Sequence, residues 1–202
     1  MGSPISGRNR ILVTRLFALA LISLQLVSVP KLGENTLLRQ LMIWSGYVLV
    51  VTGVMGRVYS SLFISGRKNE ELVCSGPYSV VRNPLYVCSF VATLGIGLES
   101  GTLTMVALLA GAFIVYYPMV VRSEERQLAK ILGPAYEEYR TEVPCWLPAF
   151  RRWSEPTELT VRTRFLRRTL LDAAVFFVPL PCYFLINRLH AIHLLPRWLI
   201  IP

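Results

Sequence analysis

Four apolar runs decide what this chain can fold into: residues 11–29, 41–64, 84–98 and 102–121. Three of them reach the roughly 17–25 residues that an α-helix needs to cross a bilayer. In hydrocarbon every backbone N–H and C=O must be satisfied within the protein, so such runs become helices rather than isolated strands. Only 16% of the residues are charged, against about a quarter in an ordinary soluble domain. A fifth run, 170–186, contains Asp172, Pro179 and Pro181 and reads as a span or a re-entrant helix. The expected fold is a single all-α integral membrane domain over residues 1–202, with four or five transmembrane helices. Segment 122–164 is the amphipathic polar part between the fourth and fifth runs.

The first run follows Arg8 and Arg10, as a signal peptide would. No small-x-small cleavage pattern precedes Pro30, so we read an uncleaved membrane helix. Runs three and four are joined by Glu99-Ser100-Gly101 and predict a tight helical hairpin.

Basic residues orient the set. With the N-terminus inside, fifteen Lys and Arg outside the runs fall on the cytoplasmic side and four fall opposite. The net charge of +9 therefore reads as anchoring to anionic lipid, not as a nucleic-acid footprint. Cys74, Cys88, Cys145 and Cys182 form no CxxC and have no metal-ligand spacing to His190 or His193, so no metal is expected. Residues 95–101, Gly-Ile-Gly-Leu-Glu-Ser-Gly, lack the strand–turn–helix context of a nucleotide-binding loop and read as packing and turn.

One stretch interrupts the apolar pattern: Gly-Pro-Tyr-Ser-Val-Val-Arg-Asn-Pro-Leu-Tyr at 76–86. Asn83-Pro84 is a good helix start, asparagine capping and proline in the first turn. A helix from 84 to 98 rises roughly 22 Å, less than the about 30 Å of hydrocarbon. Such a helix either thins the bilayer or begins below the lipid surface; in the second case its N-terminus sits beside Arg82 in a recess that faces the cytoplasm and suits an anion. Glu124 and Glu125 directly follow the fourth run, and neighbours on a helix point about 100° apart, so at least one carboxylate turns toward the protein. Arg57 lies inside the second run, where an ionisable side chain either snorkels or faces a cavity.

Together, the 76–86 stretch, Gly95, Glu124-Glu125 and Leu-Gly-Pro-Ala-Tyr-Glu-Glu-Tyr at 132–139 resemble the integral-membrane methyltransferases. These include isoprenylcysteine carboxyl methyltransferases and phospholipid N-methyltransferases. The resemblance covers about Gly46 to Pro148. It implies S-adenosylmethionine as methyl donor, with Tyr78, Arg82, Asn83, Pro84, Tyr86, Gly95, Glu124, Glu125 and Tyr136 as cofactor residues. It implies Arg57 and Arg122 as catalytic residues, Arg57 approaching the acceptor. The implied partners are a lipophilic methyl acceptor and membrane lipids, with O, N and S all open as the accepting atom. Asn83 stands where the best-studied members carry histidine, and some fifty residues follow Pro148, where many relatives stop. From another class, a small transporter or assembly subunit would carry inverted repeats; the sequence contains no internal repeat.

Overall fold

The computed structural model describes residues 19–33, 36–65, 71–159, 161 and 163–202. Helical residues 19–27 form the described part of α1. There follow strand β1 (Ser28–Pro30), α2 (Leu37–Phe63), the short α3 (Pro77–Val80), α4 (Pro84–Glu99), α5 (Leu103–Leu132) and α6 (Pro134–Glu142). The chain ends with α7 (Thr163–Ala174), a 3-10 turn (Val175–Phe177), α8 (Pro179–Ala191) and strand β2 (Leu199–Ile201). The fold is all-α and membrane-type. Helices α2, α5 and the stretch Thr163–Ala191 are long and apolar enough to cross a membrane, and α4 is a shorter apolar helix.

The fifth run thus forms the latter part of a helical stretch long enough to span. Pro179 lies in the first turn of α8, where the missing N–H costs nothing, so the prolines divide the stretch without ending it. The fourth run does not stop at 121. It continues as one helix to Leu132, closed by Gly133 at φ 59°. Of the first run, residues 11–18 lie outside the described part, as do Arg67 and Lys68.

Helices α2 and α4 meet backbone to backbone. A Cβ added to Gly53 would sit 2.6 Å from the Ala92 nitrogen, and one added to Gly95 would sit 2.6 Å from that of Val50. Small residues permit such close approach where no hydrophobic drive pulls helices together. Val50, Val54 and Ala173 are buried at the centre, with Val58, Ile96, Phe176 and Leu180 around them, so α7 and the 3-10 turn close over this crossing. At the hairpin, the Thr102 hydroxyl accepts from the Met105 N–H at 3.4 Å and starts α5.

Polar chain gathers at both ends of this scaffold. At one end, Gly76 N–H donates to the Ser154 carbonyl at 2.6 Å, Arg82 N–H to Pro144 at 2.9 Å, and Ala149 N–H to Val80 at 2.9 Å. At the other, Trp198 N–H donates to Val27 at 3.0 Å and Lys31 N–H to Ile201 at 2.8 Å. There β1 and β2 pair in parallel, Val29 opposite Ile200.

Candidate functional site

Segment 71–86 and helices α5 and α6 enclose a cavity of about 220 Å³. The loop side supplies Leu72, Val73, Tyr78, Arg82 and Asn83; the first turn of α4 supplies Pro84, Leu85 and Tyr86. Helix α5 presents Glu124, Gln127, Leu128 and Leu132 at helical spacing, and α6 adds Tyr136 and Tyr139. The two polar segments singled out in the sequence therefore share one recess.

A single carboxylate ties the recess together. Glu125 is buried, and its Oε1 accepts from Arg82 Nε at 3.0 Å and Asn83 Nδ2 at 3.2 Å, with the Cys145 thiol at 3.6 Å. Arg82 Nη1 also donates to the carbonyls of Arg140 at 2.5 Å and Val143 at 3.1 Å. Burial works to lower the Arg82 pKa, but the Glu125 charge holds it above its ordinary value. Such charge-assisted bonds are about twice as strong as neutral ones. Most of the Arg82 fork is committed inside the protein, so Arg82 shapes the wall more than it reaches a ligand. Asn83 is not the side-chain cap expected: it makes no cap hydrogen bond, because its amide turns to Glu125.

The neighbouring carboxylate has another place. Glu124 lines the cavity while Glu125 is buried behind it, the divergence expected of successive positions on a helix. Tyr139 donates its hydroxyl to the Tyr78 carbonyl at 2.7 Å, fixing α6 against α3. The Tyr78 hydroxyl itself is buried and has no hydrogen-bond partner among the described residues. Burial, then the Glu125 charge, pushes the Tyr136 phenol up to about 12. Burial likewise raises Tyr78 and Tyr139, so all three phenols stay protonated at neutral pH.

Besides Glu125, three residues expected at the site lie outside the cavity lining. Arg57 does not line the cavity; its Nη1 donates to the Leu85 carbonyl at 3.3 Å and to the Ser89 hydroxyl, with the guanidinium 5.2 Å from the Phe176 ring centre. It stands behind the first turn of α4, on the side closed by the C-terminal helices. Arg122 is exposed on α5 and does not line the cavity. Gly95 belongs to the helix crossing, where it meets Val50 and Gly46. Conversely, Leu72, Gln127, Leu128, Leu132 and Tyr139 line the cavity without having been singled out for it. The spacing 124, 127, 128, 132 on α5, continued by 136 and 139 on α6, is the signal that marks this face.

The phospholipid methyltransferase family model matches residues 36–135. A nickel-cobalt-cadmium resistance protein, NccN, of Alcaligenes xylosoxydans xylosoxydans is 32% identical over 177 residues, which are 86% of this chain and 82% of that protein. The chain belongs to the integral-membrane methyltransferase family. The cobalt-zinc-cadmium resistance protein CzcN of Cupriavidus metallidurans is 37% identical over 71% of this chain and 66% of its own length. The protein-S-isoprenylcysteine O-methyltransferase of Schizosaccharomyces pombe is 32% identical over 94 residues, 46% of this chain and 40% of its own. No solved structure matches the chain. The family match takes in Arg57, the whole 76–86 segment, Gly95 and the Glu124-Glu125 pair, and stops one residue short of Tyr136.

Proposed function

We propose that the protein transfers a methyl group from S-adenosylmethionine to a lipophilic acceptor at the cytoplasmic face of a membrane, a bacterial inner membrane or its equivalent. The observation that carries this is the cavity shared by segment 71–86 and helices α5 and α6, with the unpartnered Tyr78 hydroxyl buried at its wall. A buried hydroxyl without a partner is costly, and a bound ligand with polar atoms relieves it.

The lining suits this donor. Glu124 would hold its ammonium group or ribose hydroxyls, and Tyr78 another polar atom. Tyr136 and Tyr139, with Leu128 and Leu132, offer the aromatic and apolar surface an adenine requires. The N-terminal end of α4, above Pro84, carries the positive dipole end that favours a carboxylate. When bound, the donor supplies an electrophilic methyl group on a sulfonium. The chain's part is to align the acceptor and exclude water.

On the acceptor side stands Arg57, held by the Leu85 carbonyl and Ser89 between α4 and Phe176. It would attract an anionic headgroup arriving between α2, α4 and the C-terminal helices. A carboxylate acceptor needs no general base, whereas an ammonium lipid or a thiol must first lose a proton. His190 lies at the far end of the bundle, bonded to the Gln25 carbonyl. This supports an anionic nucleophile such as a prenylcysteine-like carboxylate, ahead of a phospholipid amine.

A second reading draws on the two relatives named for resistance to nickel, cobalt, cadmium and zinc. Among the described residues no group of three His, Cys, Asp or Glu side chains can hold a metal. Under this reading, the methylated product, a lipid or a small thiol, contributes to metal resistance.

Titration calorimetry of the purified protein with S-adenosylmethionine, and with its demethylated product, tests the donor. Saturable binding is expected; none for either ligand would sink the proposal in favour of a non-enzymatic membrane subunit. Incubation with methyl-labelled donor and a total lipid extract then identifies the acceptor by the species that carries the label.

A further inference from the structure

The opposite end of the bundle holds a second cavity, of about 350 Å³. It lies roughly 38 Å along α2 from the first, counting from Arg39 to Ile64 at 1.5 Å per residue. Arg39, Asn187, His190 and Arg197 line it with Val29, Pro30 and Leu32, and no described residue of its lining is acidic. Arg39 and His190 are each 4% exposed. Arg39 donates to Asn187 Oδ1 at 3.4 Å, which leaves the Asn187 amide nitrogen as a donor.

One buried nitrogen here, on His190, lacks a partner among the described residues. Arg197 is exposed at the rim and donates from Nη2 to the His190 carbonyl at 2.5 Å, which leaves the rest of its five N–H donors open to solvent or a ligand. His190 Nε2 faces the Gln25 carbonyl at 3.3 Å, and its buried Nδ1 has no partner. Two guanidiniums, an amide nitrogen and an imidazole around one hollow make a donor-rich, positively charged pocket. Planar guanidinium forks match phosphate oxygens in geometry as well as charge.

We propose that this cavity binds a phosphate anion through Arg39 and Arg197, with Asn187 and His190 completing its shell. The site is independent of methyl transfer. Its position at the end of the spanning helices, beside exposed Ile192, Leu194 and Trp198, fits the phosphate of an anionic lipid whose chains run down the bundle. The same chemistry can come from free phosphate. Either ligand would join α2, α8 and the segment before β2.

Delipidated protein in neutral detergent provides the test, by thermal unfolding and native mass spectrometry with added phosphatidylglycerol, phosphatidylcholine or inorganic phosphate. Phosphatidylglycerol is expected to raise the melting temperature and remain bound. Arg197→Gln should raise its half-saturating concentration about tenfold, the weight of one charge-assisted hydrogen bond. Arg151→Gln, an exposed substitution at the other end, should leave it unchanged. Stabilisation by phosphatidylglycerol alone assigns the site to lipid; equal stabilisation by inorganic phosphate assigns it to the free anion. No stabilisation by either, or equal loss in both variants, overturns the site. Arg39→Lys, which keeps the charge but loses the fork, carries the same test should Arg197→Gln fail to fold.

Discussion

The α2–α4 crossing and the recess around Glu125 share helix α4 yet are held by opposite means. At the crossing, glycine lets backbones touch, and the side-chain hydrogen bonds between the two helices lie toward its ends, from Arg57 to Leu85 and Ser89 and from Tyr47 to Glu99. At the recess, one carboxylate collects an arginine, an asparagine and a thiol from two distant segments. The crossing is a matter of volume; the recess is a matter of charge and direction. A substitution should therefore be felt as overpacking in the first region and as an uncompensated charge or a lost ligand contact in the second.

The sharpest way to break this contrast is Glu125→Ala. It strands the Arg82 guanidinium, whose side chain is 12% exposed, and a buried pair broken on one side costs about 3–5 kcal/mol. The unfolding midpoint should fall steeply, and Glu125→Gln, which still accepts hydrogen bonds, should restore part of it. Gly95→Leu comes next: the added side chain meets the Val50 backbone, and overpacking of this kind costs about 1–3 kcal/mol. Here no polar replacement should rescue, and cofactor affinity, measured on protein that does fold, should stay near wild type.

Glu124→Ala should show the reverse pattern. Its cofactor dissociation constant is expected to rise about tenfold, or about 1.4 kcal/mol, with a smaller loss of melting temperature than Glu125→Ala. Equal effects of the two on folding and binding would erase the distinction drawn between adjacent carboxylates. Tyr78→Phe should weaken cofactor binding by about 0.5–1.5 kcal/mol without lowering stability, since the hydroxyl has no partner among the described residues. Smallest of all is Arg140→Ala, within about 0.5 kcal/mol on stability. Arg82 uses the backbone carbonyl of residue 140, and the Arg140 side chain makes only an exposed pair with Glu137 at 3.5 Å.

What could be read from the chain beforehand follows the same divide. Apolar length placed the spanning helices, and Gly-Pro and Asn-Pro placed the breaks, because both are properties of local sequence. The shared end of segments 76–86 and 122–139 followed from charge bias, which acts over whole loops. The Glu125 contacts were not legible: a residue's partner some forty positions away depends on how α5 is rotated, and nothing local sets that angle. For that reason the sequence alone does not show that Arg82 and Asn83, both of which line the cavity, turn to the same buried carboxylate. Arg57 stands out in the sequence as a charge inside an apolar run, but its bond to the Leu85 carbonyl depends on the α2–α4 crossing, which brings the two helices that close. The pairing of β1 with β2 joins segments some 170 residues apart and left no local trace.

Helices α4 and α5 leave the same turn, at residues 100–102, yet one has 16 residues and the other 30. At 1.5 Å per residue the longer overhangs the shorter by roughly 21 Å, and the recess is the step beneath that overhang. Its depth is fixed by where Pro84 begins α4, not by which side chains line it. Adding a turn there would raise the floor by about 5 Å and shrink what fits beneath, with every lining residue of α5 still in place.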